Sequence, residues 1–298
     1  MFTQPRNGHR AHTWNTQEES SVSSAATTTI LGPAYVDAII KYPERAAEGG
    51  RIWGNQDFNF ALEDHRMRIR NARLETISFG THGFTLLNRP TDIDFTDAQE
   101  IERRWHPLAR QLVREMTGAK DVFAFLGILR GGEDAGGGGP ALMAHVDFTS
   151  DSMRAWVARL APERSDELSA KRLVNINLWT PVRPVENMPL GICDASSVKP
   201  TDFMKVSFGK PETRETDEFA GGFDSSGFVI AYNPNHRWFY YPNMQPDEVL
   251  AFRLHDTDDA SLRMTAHTAF EDPTSRPGSP KRLSYEIRTI AVLDERSA

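Results

Sequence analysis

The 298-residue chain carries 39% hydrophobic and 25% charged side chains, enough apolar material for one large domain and too much for a disordered chain. Thirty-four basic residues against 41 acidic ones leave a net charge of −7, a balance that speaks against general nucleic-acid or anionic-membrane binding. A single cysteine, Cys193, excludes an internal disulfide framework and any cysteine-rich zinc or iron–sulfur site.

Residues 1–26 are polar and rich in serine and threonine. They read as a mobile N-terminal tail, with Thr27–Leu31 as a short strand entering a single domain over residues 27–298. The opening MFTQPRNGHR has no apolar signal-peptide core, and the longest apolar run, Val122–Leu129, is broken by Gly127. That run is far short of a membrane span, so a soluble, cytoplasmic protein without a membrane partner is expected.

The clearest helix is Asp97–Thr117, where Ile101, Trp105, Leu108, Leu112 and Met116 share one face. Thr96 and Gln99 have the spacing of a capping box, Gly118 supplies a left-handed stop, and Pro107 predicts a kink or restart. A second helix is predicted over Asp151–Leu160, with Met153, Trp156, Val157 and Leu160 facing inward. Predicted strands are Val122–Leu129, Ala141–Phe148, Leu173–Trp179, Phe228–Tyr232, Arg237–Tyr241, Glu248–Leu254 and Arg282–Leu293. Between the first two lies GGEDAGGGGP, Gly131–Pro140, too glycine-rich for regular structure and placed where a lid would lie. Short strands punctuated by turn residues, with helices mainly before them, predict a mainly β fold with flanking α. The natural candidate is a double-stranded jelly roll with a helical buttress. No strand–GxGxxG–helix unit and no GxxxxGK[ST] is present, which removes dinucleotide and P-loop readings.

Most of the nine histidines have an ordinary reading. His9 and His12 lie in the tail. His65 and His106 sit among charged, helix-like neighbours and read as solvated; His82 and His255 fall at turns. His236 and Trp238, in NHRWFYYP, read as part of a structural aromatic cluster. His145 and Asp147 differ, because the strand-like alternation of LMAHVDF points both to one face. An imidazole beside a carboxylate offers two vertices of a metal site, although chance supplies a His-x-Asp in roughly half of such chains. A third ligand from a neighbouring strand would complete a two-His-one-carboxylate triad with open positions for Fe(II). His267 follows near the end of the chain, before KRLSYEIRTIAVL. There Arg282, Ser284, Glu286 and Arg288 alternate on one face, with Leu283, Tyr285, Ile287 and Ile290 assigned to the other. Two arginines within a strand form either a charge ladder on an exposed face or a fork onto a dicarboxylate.

The order His-x-Asp, distal His, Arg-x-Ser resembles the Fe(II)/2-oxoglutarate-dependent oxygenases, whose fold is a cupin-like double-stranded β-helix. Within them the chain is similar to the fungal AsaB-type hydroxylase/desaturase family, which includes relatives of a cephem methoxylase subunit. The similar segments run from about Asp64 to Leu293 and include HGFTLLNRPTDIDFTD (82–97), HVDFT (145–149), NLWTPVRPVENMPLGICD (177–194), YNPNHRWFYYPNMQPDEVLAF (232–252) and HTAFEDPTSRPGSPKRLSYEIR (267–288).

The resemblance implies that His145, Asp147 and His267 hold Fe(II), with 2-oxoglutarate and O2 as co-substrates. It implies that Arg282 grips the distal carboxylate of 2-oxoglutarate beside Ser284, with Arg288 within reach of its other end. Asn177 and Trp179 would line the pocket, Trp179 having core packing as its equal alternative. Arg130 would be a substrate contact. Family members commonly carry a charged Asp-His-x-x-Arg stretch where this chain has LGILRGGEDAGGGGP. The implied activity is C–H oxidation (hydroxylation, desaturation or ring rearrangement) of a small natural-product intermediate in secondary metabolism, coupled to 2-oxoglutarate decarboxylation. Three alternatives stay open: a cupin-like non-redox isomerase on the same metal site, a non-catalytic helper subunit of a methoxylation system, and a zinc hydrolase. Exposed aromatic strands leave room for a homodimer.

Overall fold

The computed structural model describes residues 32–54, 56–89, 92–131, 139–209, 225–258 and 263–294. Residues Pro33–Ala298 make up one compact unit. The predicted tail over 1–26, the strand Thr27–Leu31 and most of the Gly131–Pro140 loop lie outside the described residues.

Fifteen strands are described. They are β1 (Tyr35–Pro43), β2 (Arg51–Gly54), β3 (Asp57–Phe58), β4 (Leu62–Asn71), β5 (Phe84–Asn88), β6 (Asp121–Arg130), β7 (His145–Val146) and β8 (Arg172–Pro181). The rest are β9 (Leu190–Cys193), β10 (Phe203–Phe208), β11 (Ser226–Ile230), β12 (Trp238–Tyr240), β13 (Glu248–Asp256), β14 (His267–Ala269) and β15 (Ser284–Leu293). One sheet runs β1-β4-β12-β9-β14-β7-β11-β10-β2-β3 and the other β5-β13-β8-β15-β6. A single buried cluster joins Ile40, Ile69, Val146, Ile192 and Trp238 of the first sheet to Trp179, Phe252, Leu254 and Ile290 of the second. The expected mainly β, double-stranded β-helix is what forms.

The buttress is helix α1 (His106–Thr117), reached through a helical turn at Ala98–Glu100 and a π-helical turn at Ile101–Trp105. Pro107 explains that turn: it lacks an N–H and its ring crowds the preceding turn, and the wider turn leaves His106 N–H donating to Ile101 O. The N-cap is Asp97, which accepts from Gln99 and Glu100 N–H, so the predicted Thr96–Gln99 box does not form. Thr96 instead donates to Asp94. Gly118 closes the helix at φ 73°, as expected. Helix α1 packs on the outer face of the five-stranded sheet through Leu112 and Val113, against Tyr285, Ile287 and Ala291. Helix α2 (Ser150–Leu160) starts one residue earlier than predicted, capped by Thr149.

Strand β15 is buried along nearly its whole length, because its odd residues face α1 and its even ones face the interior between the sheets. Ile290 belongs to the interior set with Val292, as strict alternation requires. Arg282 and Leu283 precede the strand, not the predicted start at 282. The predicted strand Ala141–Phe148 shrinks to His145–Val146, since its backbone is shared among neighbours: Ala144 N–H donates to Lys41 O, and Ala141 O accepts from Ala269 N–H. His255 is no turn residue; it is buried in β13 and hydrogen-bonds Ser150 Oγ at 2.7 Å. His65 lies in β4 and stacks on Tyr232 at 3.6 Å. His236 stacks on Tyr42, whose hydroxyl accepts from Trp238 Nε1 at 2.7 Å, the aromatic cluster expected from NHRWFYYP.

Candidate metal centre

Strand β7 lies between β14 and β11, with His145 opposite His267 on one side and Val229 on the other. Directly opposed residues of an antiparallel pair share a face, so the two imidazoles meet with ring centroids 4.3 Å apart. Alternation brings Asp147 to the same face, its Oδ1 3.4 Å from His145 Nε2. One ligand atom from each of the three residues lies within 4.8 Å of the others. That is the donor set of a two-His-one-carboxylate centre.

Surrounding contacts set the protonation states. His145 Nδ1 donates to Met143 O at 2.8 Å; a carbonyl only accepts, so Nε2 keeps its lone pair for a metal. Burial, reinforced by the neighbouring His145, lowers the pKa of His267 to about 3, so this imidazole is neutral at physiological pH. Burial on its own would raise the Asp147 carboxyl. The adjacent Arg288 guanidinium, with the two histidines, instead holds it well below the carboxylate range. Asn177 Nδ2 lies 3.4 Å from Asp147 Oδ2.

Arg288 is a hub. Its Nε donates to Asp147 Oδ2 at 3.0 Å, Nη2 to Glu286 Oε1 at 2.8 Å and Nη1 to Leu126 O at 3.0 Å. The last bond depends on a β-bulge in β6, where Leu126 and Gly127 together oppose Ile287 and Leu126 takes φ 48°. The Tyr285 hydroxyl occupies the space a Cβ on Gly127 would need. Glu286 also accepts from Arg130 Nη2 at 3.0 Å. Burial opposes ionisation of Glu286, but Arg130 and Arg288 outweigh it and bring its pKa to about 2.

Arg282 is placed differently. It donates to Met188 O at 2.8 Å and lies over the Trp179 ring. Burial lowers its pKa to about 10, the like charge of Arg130 adding to the effect. Ser284 Oγ and Asn177 Oδ1 are buried without a hydrogen-bond partner among the described residues. A desolvated guanidinium two residues before the orphaned Ser284 hydroxyl is an environment a carboxylate ligand completes, whereas Asn177 lies opposite Arg288.

Two cavities flank the triad. The larger, about 550 Å³, is walled by apolar side chains including Ile52, Leu126, Ile128, Met143, Phe148 and Trp156, and reaches His145, Asp147, Arg130 and Arg288. The smaller, about 10 Å³, lies among Arg130, Trp179, His267, Arg282 and Glu286. Trp179 therefore faces the small cavity and not the large one. Glu286 and Gly227, neither given a site role from the sequence, belong to the construction. A Cβ on Gly227 would lie 2.4 Å from Val146 O and 2.9 Å from the carbonyl of Asp147. The signal available for it was a glycine directly before the predicted strand Phe228–Tyr232; the strand in fact starts at Ser226, and a glycine within a strand marks close backbone approach.

A family model described as "YDMC: Oxidoreductase/YMDC permease-like domain" matches residues 41–292. Among the described residues, no helix is long and apolar enough to cross a membrane. The chain is 27% identical over 239 residues to the hydroxylase/desaturase efuI of Hormonema carpetanum, covering 73% of this chain and 79% of that one. It is 26% identical over 248 residues to the Fe(II)/2-oxoglutarate-dependent dioxygenase nvfI of Aspergillus novofumigatus, covering 80% and 86%. The hydroxylase/desaturase asaB of Aspergillus flavus is 31% identical over 136 residues, 44% of this chain and 60% of that one. The solved structure of the iron and alpha-ketoglutarate-dependent endoperoxidase NvfI superposes with a TM-score of 0.75 at 23% identity, covering 88% of this chain and 99% of that one. That likeness establishes the fold.

Proposed function

The chain belongs to the oxidoreductase family whose model matches residues 41–292, and on that premise we propose that it works as an Fe(II)/2-oxoglutarate-dependent dioxygenase. The observation that carries this reading is the convergence of His145, Asp147 and His267 between the two cavities. Relatives across most of the chain bear the names of Fe(II)/2-oxoglutarate-dependent enzymes, which favours this reading over the isomerase, helper-subunit and zinc-hydrolase alternatives.

Bound at the triad, Fe(II) would supply oxidation of a substrate C–H bond by O2, coupled to conversion of 2-oxoglutarate to succinate and carbon dioxide. The chain's own residues do the rest. His267 offers a neutral nitrogen and Asp147 an ionised carboxylate, so these two ligands meet the metal already in their binding forms; His145 turns its Nε2 toward them. Arg288 fixes Asp147 in orientation while its other donors are engaged by Glu286 and Leu126. Arg282 is then the arginine left to fork onto the distal carboxylate, with Ser284 Oγ as a second donor. The small cavity has room for about one water, so a five-carbon diacid enters as the Arg282 and Arg130 side chains draw back from it. The large cavity falls in the size class of drug-sized ligands, and its apolar walls suit a small, largely apolar natural product of secondary metabolism. A cytoplasmic setting completes the reading; Cys193 is buried and free, which suits a reducing compartment.

The test is succinate formation from 2-oxoglutarate under air. The reading expects slow turnover that requires Fe(II) and disappears in Asp147→Ala. Iron binding without any 2-oxoglutarate consumption would return the isomerase reading.

A further inference from the structure

Among the described residues, the ionic side chains around the metal centre do not balance. Arg130, Arg282 and Arg288 face only two carboxylates, Asp147 and Glu286, among the described residues of the site. Iron(II) and 2-oxoglutarate carry equal and opposite charge, so loading the centre leaves one positive charge in excess among these described residues. A buried guanidinium without a counter-charge is costly, and the position of that excess identifies what should meet it.

Two of the three arginines are accounted for. Arg288 is committed to Asp147, Glu286 and the Leu126 carbonyl. Arg282 lines only the small cavity on the co-substrate side. Arg130 differs, because it lines both cavities. Its side chain makes one hydrogen bond to the described residues, from Nη2 to Glu286 Oε1, the oxygen that Arg288 also uses. Its side chain is only 13% exposed, so water compensates it poorly. Arg130 borders a chamber whose walls are apolar apart from Ser225 and the metal-centre residues His145, Asp147 and Arg288.

Resting on the dioxygenase reading, we infer that the substrate is an apolar molecule bearing one acidic oxygen group, a carboxylate or an ionised enol or phenol, which Arg130 binds. The contact places that group at the edge of the metal centre and the hydrocarbon body against Leu126, Phe148 and Trp156. Arg130 is thereby a specificity residue, selecting acids over neutral molecules of the same shape. Glu286 tunes it, since every fraction of charge Glu286 neutralises is withheld from the substrate.

Equilibrium dialysis with two probes, pyrenebutyrate and its neutral analogue pyrenebutanol, tests the inference on the Fe(II)- and 2-oxoglutarate-loaded protein without oxygen. A charge-assisted contact predicts that the acid binds about tenfold or more tightly than the alcohol. Arg130→Gln should erase that preference, and Glu286→Gln should enlarge it. The opposite signs separate a specific contact from damage to the fold. Equal binding of the two probes, binding of neither, or an acid preference that survives Arg130→Gln would overturn the inference. The visible absorption of the Fe(II)–2-oxoglutarate chelate, recorded on the same wild-type sample, separates the two levels. Absorption present with no acid preference defeats the substrate assignment alone, whereas absorption absent defeats the dioxygenase reading and this inference with it.

Discussion

Replacing Gly227 with alanine tests how the metal strand is held. Gly227 lies in β11, one residue before Phe228, which pairs with Val146. An added methyl carbon would sit 2.4 Å from Val146 O and 2.9 Å from both the carbonyl carbon and oxygen of Asp147. The obstacle is backbone, which no rotamer change relieves, so β7 and β11 must part by about 1 Å to reach ordinary contact distance. Overpacking of this kind costs about 1–3 kcal/mol. The same shift acts on Asp147, and misplacing a functional group by about 1 Å can cost on the order of a hundredfold in site performance. Gly227→Ala should therefore lower Fe(II) affinity by more than its loss of stability explains. Competition against a metal-sensitive dye gives the affinity, and urea unfolding of the metal-free protein gives the stability. Gly80→Ala, where the new carbon meets nothing within 4 Å, is the control and should be neutral. Wild-type iron affinity and stability in Gly227→Ala would show that β7 and β11 do not need the close approach at Gly227.

The bulge and the buried histidines give further outcomes. Leu126 holds φ 48°, so Leu126→Gly, relieving about 1 kcal/mol of left-handed strain, should be at least as stable as Leu126→Ala in urea unfolding; the usual strand order, with glycine the worse, would count against the bulge. Burial lowers the pKa of His236, Asp202 only partly opposing it, and lowers that of His267 to about 3. The unfolded imidazoles take protons that the folded ones refuse, so stability of the metal-free protein is fully present above about pH 6.5 and falls as pH drops below it. His236→Gln should flatten that slope in part, and an unchanged slope would assign it to other groups. Arg282→Ala should raise the 2-oxoglutarate concentration needed for half-maximal succinate formation at least tenfold; an unchanged requirement would move the anchor to Arg288.

Long, strongly patterned segments were legible in the sequence. The predicted helix Asp97–Thr117 has a five-residue apolar stripe, shared in the structure between the π-helical turn and α1, and the last strand has alternation dense enough to locate the Arg282–Arg288 row. The metal strand was legible in its side chains and not in its extent. His145 and Asp147 share a face as alternation demands, yet only two residues pair regularly because β1, β14 and β11 divide the surrounding hydrogen bonds. Local sequence carries no trace of such long-range sharing. His255 looked like a turn residue beside an acidic run, but the bulge between Arg253 and His255 continues β13 and turns its ring inward. Glu286 read as a rung between two arginines. Its role as the shared acceptor of Arg288 and Arg130 depends on β6 lying beside β15, a pairing that no local pattern specifies.

The most direct test of the central claim is an anaerobic titration of the metal-free protein with Fe(II) and 2-oxoglutarate, following the weak visible charge-transfer band of the iron chelate. Wild type should develop the band, His145→Ala should not, and Arg282→Ala should need more 2-oxoglutarate to reach it. Iron bound tightly at the triad with no band at saturating 2-oxoglutarate would contradict the account.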